Sequence, residues 1–256
     1  MMISVRQRLH ARSAALLLTI EGGLPRIMIG WLVVAALASA LRVAISPLHG
    51  AIPVGMVLPY MLLVLAPFGS MVLALRWFAA GDHLAQPVLR LARVGRWTDV
   101  SRETATRHTL YGTSGIMVSL LVGTLLNVPV RAAEYLAAMP ALGGPVPQWL
   151  QTLHLLMTLD VVVLSSLYAV AFVAALRRVP LFPRLLAAIW MVDLAMQMVI
   201  ADLVAGTEGL PASVAAPLQM LLDGNVKKVL ISVGLWLPYL LLSARVNVTY
   251  RHRIAA

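Results

Sequence analysis

Long apolar runs, separated by short polar stretches rich in arginine, dominate the pattern of this chain. A helix needs about 20 mainly apolar residues to cross the hydrocarbon core of a bilayer. Six runs reach that length, at residues 27–46, 54–78, 110–128, 149–176, 181–204 and 227–243. Because lipid offers no hydrogen-bond partner to a backbone amide, each run is predicted to be helical. The pattern therefore predicts an all-α, polytopic integral membrane helix bundle of about six transmembrane helices.

A shorter apolar run covers residues 13–20 and follows Arg6, Arg8 and Arg12. It is too short to cross the hydrocarbon core. An apolar run beside arginines is typical of a helix that lies in the membrane interface. We therefore expect this run to lie on the cytoplasmic face.

Composition agrees with a membrane protein. The chain is 61% hydrophobic and 12% charged, whereas soluble domains are about 45–50% apolar and about 25% charged. It has no cysteine, which excludes disulfides and thiolate metal sites. We expect no metal and no cofactor. The formal charge of +10 would suggest nucleic acid in a soluble protein, but arginines beside apolar spans orient the chain in the membrane. We expect no nucleic-acid partner.

The arginines also predict the orientation. Sixteen of the 20 lysines and arginines fall in the N-terminal segment, the segment between spans two and three, the link between spans four and five, and the tail. The other side holds four, namely Arg42, Arg131, Lys227 and Lys228. The arginine-rich side faces the cytoplasm. The sequence thus predicts a multi-pass membrane protein with N- and C-termini in the cytoplasm.

The segment after the second span is basic, with Arg90, Arg93 and Arg96 at every third position. On a helix these side chains share one face, which predicts a contact with anionic lipid. An ordinary cytoplasmic loop gives the same pattern.

We divide the chain into residues 1–109, an N-terminal extension with two spans and this basic loop, and residues 110–256, a four-helix membrane domain.

Carboxylates inside predicted spans are the main functional signal. Asp160 lies near the middle of the fourth span, and Asp193 lies near the middle of the fifth, one turn before Gln197. A short link makes these spans antiparallel neighbours, so the two carboxylates are expected at similar depth. Ionisable groups there face the bundle interior or water. They are interpreted either as a proton relay or as a structural clip between helices.

Gly115, Ser119 and Gly123 are spaced four residues apart in the third span. Small residues at this spacing let two helices approach closely. Packing within the chain and a contact between two copies are both open interpretations.

Two partial matches to enzymes fail. Ser101, Arg102 and His108 match the start of a lipid phosphatase motif, but Gly112 stands where that motif has an aspartate. Asp160 and Asp193 lack the Gly-x-Gly-Asp setting of intramembrane aspartyl proteases. We expect no enzymatic activity.

The last part of the chain carries a pattern of residues at fixed spacing. Its members are Phe182, Pro183, Trp236, Pro238, Tyr239, Ser243, Arg245, Val246, Thr249 and Tyr250. The pattern resembles the bacterial membrane-protein family called domain of unknown function 2569 (DUF2569), over roughly residues 150–250. Asn247 departs from it, since the family often has lysine there. The resemblance implies a compact four-helix membrane domain in the bacterial inner (cytoplasmic) membrane, and it brings no activity.

The sequence predicts a non-enzymatic inner-membrane protein that acts through helix packing and through contacts with lipid, anionic lipid included, or with a partner. That partner is a membrane protein or a second copy of the chain. The alternative is a small proton-linked membrane transporter that uses Asp160 and Asp193.

Overall fold

The computed structural model describes residues 2–46, 54–88 and 95–256. These residues form eight α-helices, a short 3-10 helix at Gly81–His83 and two short strands. The helices are α1 (Met2–Ile45), α2 (Val54–Trp77), α3 (Arg102–Arg107), α4 (Ile116–Ala138), α5 (Gln148–Leu176), α6 (Phe182–Ala205), α7 (Ala212–Leu242) and α8 (Ala244–Arg251). The strands are β1 (Trp97–Asp99) and β2 (Arg253–Ala255). Six helices, α1, α2, α4, α5, α6 and α7, are long and apolar enough to span a membrane. The predicted all-α membrane bundle is confirmed.

Helix α5 is the central element of the bundle. It packs against α2, α4 and α6, while α7 packs on α6 and α1 lies along α2 and α4. Small and apolar side chains near its end, among them Ala171, Phe172 and Ala175, are fully buried. The outward face of α1 carries exposed Leu37 and Leu41 instead, as expected for a helix that faces lipid. Residues 1–109 and 110–256 thus share one helix bundle, and their division stays a prediction.

The third spanning helix differs from the predicted span of residues 110–128. It begins at Ile116 and continues to Ala138. Gly112 and Gly115 have positive φ angles, a conformation that an α-helix does not allow, so the helix starts after them. Its far end contains Glu134 and Arg131, and Arg131 was predicted to lie in a connecting segment. Ion pairs to other helices keep both inside the helix.

The sixth spanning helix is also longer than predicted. It begins at Ala212 rather than at residue 227. Lys227 and Lys228 were predicted to lie on the outer side, and the span was predicted to begin there. In the structure the helix continues through them, and Lys228 forms an ion pair with Glu134 of α4.

Residues 13–20 do not form a separate helix. This run is the first part of the continuous helix α1. Ser13 accepts a hydrogen bond of 2.9 Å from the backbone N–H of Gly115, and Ile20 and Leu24 are buried in the core. Ile20 packs on the bundle, whereas Leu16 and Leu18 are exposed. The position of this run relative to the membrane surface stays a prediction.

One end of the bundle is closed by α8 and the two strands, which we call the closing cap. Strand β2 pairs with β1 in antiparallel register, with Thr98 opposite Ile254. The cap lies at the end that carries the turn between α5 and α6, since the Tyr250 hydroxyl donates a 2.8 Å hydrogen bond to the Ala175 carbonyl. The C-terminal segment therefore packs on the bundle and joins it to the segment after α2.

Candidate functional site

Arg131 is the centre of a buried polar cluster. Its Nη1 atom lies 3.2 Å from Oδ2 of Asp160 in α5, and its Nη2 atom is paired with Oδ2 of Asp193 in α6. The two aspartates do lie at similar depth, as the sequence predicted. However, a guanidinium from a third helix lies between them. We call Arg131, Asp160 and Asp193 the charged triad.

Neutral side chains extend the charged triad in two directions. Gln197 donates a 3.0 Å hydrogen bond to Asp160 and accepts one of 3.2 Å from Asn225 in α7. The Tyr168 hydroxyl donates a 3.1 Å hydrogen bond to Asp193, and its ring lies 5.6 Å from the Arg131 guanidinium. Polar contacts thus connect all four helices α4, α5, α6 and α7.

The charged triad is largely closed off by protein. The side chains of Asp193, Asp160 and Arg131 expose 0%, 8% and 13% of their surface. With both aspartates ionised, two negative charges face one positive charge, so the triad carries one uncompensated negative charge. In addition, Asp193 Oδ1 is buried and has no hydrogen-bond partner among the described residues.

The charged triad lies at membrane depth. A helix rises 1.5 Å per residue. Asp193 is 11 residues from the first residue of α6, and Asp160 is 16 residues from the last residue of α5. Both are therefore roughly 16–24 Å from the end of the bundle that carries the closing cap. A hydrocarbon core about 30 Å thick would place the triad in the half of the membrane remote from the cap.

A polar crevice between α4 and α7 leads to the charged triad. Glu134 and Lys228 form an ion pair there, with 38% and 58% of their side chains exposed. Behind them lie two small cavities of about 20 Å³ and about 50 Å³. Asp160 lines the smaller cavity and Asp193 the larger one, and Arg131 lines both. Either cavity can hold water, and both are far smaller than a site for a drug-sized molecule.

His154 belongs to a separate polar cluster. Its Nε2 atom lies 3.4 Å from the Tyr135 hydroxyl, which is 2.7 Å from the Thr158 hydroxyl. These groups link α4 to α5.

Among the described residues, no group of three or more His, Cys, Asp or Glu side chains lies close enough to hold a metal ion.

The small residues of α4 face outward. Ser119 and Gly123 are exposed, and a Cβ added at Gly123 would meet no atom within 4 Å. Gly115 precedes the helix with φ +68, and its role is therefore conformational. The expected close approach to another helix of the same chain is not formed at Gly123. A contact with a second copy stays a prediction.

The family-like pattern forms the interior of the closing cap. Phe182 and Pro183 begin α6 and are buried. The Phe182 ring lies 5.1 Å from the ring of Tyr250, so the two ends of the pattern meet. Val246 is fully buried beside them, and Thr249 accepts a 3.0 Å hydrogen bond from the Gly112 N–H.

The remaining members of the pattern bend and end the last spanning helix. Pro238 lies inside α7, and the rings of Trp236 and Tyr239 contact each other at 6.0 Å. Ser243 separates α7 from α8. Arg245 donates hydrogen bonds to the carbonyls of Leu110 and Gly112, at 3.1 and 3.3 Å, and so the pattern fixes the segment before α4.

Of the three arginines in the basic segment, Arg90 and Arg93 lie outside the described residues. Arg96 is exposed, and its carbonyl accepts a hydrogen bond from Ala256. Contact with anionic lipid stays a prediction.

Sequence reasoning missed Arg131, which it placed in an outer loop. One signal was present: Gly112 and Gly115 delay the start of α4, so a full-length span has to include Arg131.

Comparisons with protein-family models, with curated proteins and with solved structures give no match to this chain.

Proposed function

We propose that this multi-pass membrane protein is non-enzymatic and acts through helix packing and through contacts with lipid or a partner. The charged triad carries this proposal. Arg131 uses two of its nitrogens to bind two carboxylates, while Gln197 and Tyr168 bond those same carboxylates. Together with the contact between Gln197 and Asn225, these polar groups hold α4, α5, α6 and α7 in one arrangement. This favours the structural clip that the sequence left open.

The transporter alternative needs a route for a solute. The cavities beside Asp160 and Asp193 measure about 20 Å³ and about 50 Å³. A small-molecule site measures several hundred Å³. The size of these cavities supports the packing role over a transport role.

We also propose a bacterial inner-membrane location with both termini in the cytoplasm. Arg178, Arg245, Arg251 and Arg253 all lie at the end of the bundle that carries the closing cap. Arginines collect on the cytoplasmic side of inner-membrane proteins. Membership of DUF2569 remains a proposal as well. It is supported by the spacing of the pattern residues from Phe182 to Tyr250.

Lipid and partner contacts have surfaces available. An apolar cavity of about 300 Å³ lies between α1, α2 and α4, lined by Trp31, Phe68 and Met71 among others. Its lining suits lipid acyl chains. Ser119 and Gly123 present a flat strip on α4 to the surroundings, which suits a second membrane helix.

The test is to purify the protein in mild detergent with its native lipids and identify what remains bound. Asp160→Asn and Asp193→Asn should alter stability and retain any partner that binds the outer faces. Asp202→Asn is a matched control, because Asp202 is exposed on the same helix as Asp193. Suppose that the wild type dissipates a solute gradient and that both Asn variants fail to do so while their stability is unchanged. That result would contradict the proposal.

A further inference from the structure

We propose that the charged triad is a binding site for one proton. A proton passes from water to a carboxylate oxygen of Asp160 or Asp193, an O–H bond forms, and the triad becomes neutral. No electron is transferred. This inference goes beyond the packing role, since a clip needs polar contacts but does not need to exchange a proton with water.

The charges around the triad do not neutralise it. Helix α4 contributes Arg131, Glu134 and the neutral Tyr135, α5 contributes Asp160 and Tyr168, α6 contributes Asp193, and α7 contributes Lys228. Lys228 is already paired with Glu134. Gln197 and Asn225 are neutral. One excess negative charge therefore remains in a place where an unpaired charge is costly.

Asp193 Oδ1 shows where the excess charge is least satisfied. The side chain is completely buried, Oδ2 takes the bonds from Arg131 and Tyr168, and Oδ1 has no partner among the described residues. Asp193 lines the cavity of about 50 Å³. A water molecule there can satisfy the hydrogen bond to Oδ1, but it leaves the charge in place. A proton removes the charge.

The same cavity is unsuited to a metal cation. Its two carboxylates, Asp193 and Glu134, are already paired with Arg131 and Lys228, so a metal ion would have to approach these cations or displace an ion pair. A proton needs no such displacement, because it binds to a carboxylate oxygen directly. The ligand is therefore a proton rather than a sodium ion.

The crevice supplies a route from water. Lys228 and Glu134 are partly exposed at its mouth, and both line the larger cavity together with Asp193. A proton thus has to cross only one layer of polar side chains. A charge buried in a dry apolar core would lack this access.

The experiment is infrared difference spectroscopy on the full-length protein in lipid nanodiscs, titrated from acid to alkaline pH. The wild type should show the carbonyl stretch of a buried carboxylic acid, and this band should disappear as the pH rises. Asp160→Asn or Asp193→Asn should abolish it, and Asp202→Asn should retain it. A second measurement needs no variant. Isotopically labelled aspartate should shift the band, and of the six aspartates only Asp160 and Asp193 are buried.

Three results would overturn the proposal: a spectrum without such a band, a band that survives in both Asn variants, or a band that labelled aspartate does not shift. A thermal stabilisation by sodium chloride that potassium chloride does not reproduce would also overturn it, because the site would then hold a metal ion. These outcomes leave the packing role standing, since the stability of the Asn variants tests that role separately.

Discussion

Arg131 in α4 is paired with Asp193 in α6, 62 residues further along the chain, and the whole of α5 separates them in sequence. The same guanidinium also binds Asp160 of α5. One side chain thus sets the relative position of three spanning helices. Removing it leaves two carboxylates facing each other with no positive charge between them.

Arg131→Gln should therefore destabilise the protein strongly. Removing one partner of a buried ion pair costs about 3–5 kcal/mol, and the measurement is unfolding in mixed detergent. Arg76→Gln is the control, because Arg76 is exposed at the end of α2. Adding Asp193→Asn to Arg131→Gln restores the original formal charge and should recover part of the loss. A double variant less stable than Arg131→Gln would contradict the role of charge.

Gln197→Leu should weaken the contact between α6 and its neighbours on both sides. The change removes the bond to Asp160 and the bond from Asn225. Hydrogen bonds between membrane helices contribute about 0.6–1.7 kcal/mol each, so we expect a loss of about 1–3 kcal/mol in the same unfolding assay. Gln219→Leu, at an exposed site on α7, should change stability little. Equal effects of the two variants would contradict the prediction.

Tyr250→Phe should loosen the closing cap by about 0.5–1.5 kcal/mol near pH 7, since it removes the hydrogen bond to Ala175. Burial raises the pKa of Tyr250 well above its usual value of 10. Above pH 10 the unfolded chain therefore loses the phenol proton while the folded protein keeps it, and wild-type stability falls. The advantage of the wild type over Tyr250→Phe should shrink as the pH rises through 10, as measured by unfolding at several pH values.

Tyr111→Phe is the matched control for that series. The Tyr111 hydroxyl is buried without a hydrogen-bond partner among the described residues, so its removal should cost little near pH 7. A loss equal to that of Tyr250→Phe would show that the Ala175 bond contributes nothing specific.

The orientation can be tested by labelling single introduced cysteines, because the chain has no cysteine of its own that would also be labelled. Glu103→Cys and Glu208→Cys replace exposed acidic residues near opposite ends of the bundle. In intact cells a membrane-impermeant maleimide should label position 208, and it should label position 103 only after lysis. Labelling of position 103 in intact cells would reverse the proposed topology.

Gly123→Leu and Gly115→Leu should act differently. Gly123 is exposed with open space around it, so Gly123→Leu should leave the stability of the single chain unchanged and weaken association with another helix. Gly115→Leu forces a bulky side chain into a positive φ, which strains the backbone. We expect lower yield from that variant alone. Native mass spectrometry gives the oligomeric state, and an unchanged state in Gly123→Leu would contradict a partner contact at this strip.

Apolar run length was enough to predict the six spans, because lipid penalises any unpaired backbone amide in the same way at every position. Likewise, the short link between α5 and α6 was enough to predict that Asp160 and Asp193 lie at the same depth. The ends of α4 and α7 could not be read in this way. Arg131, Glu134 and Lys228 look like boundary charges when each is considered alone. Their pairing depends on which helix faces come together, and that information lies in tertiary packing.

The closing cap has a consequence for biogenesis. Its partners on the bundle, the Gly112 backbone and the Ala175 carbonyl, are synthesised well before Thr249 and Tyr250. Domains generally fold as units during synthesis, yet this face stays uncovered until the ribosome has made residues 245–253. The nascent protein therefore passes through a stage in which its spans are inserted and the surface at this end of the bundle is not yet covered. During that interval the uncovered face is accessible to a chaperone or a quality-control protease.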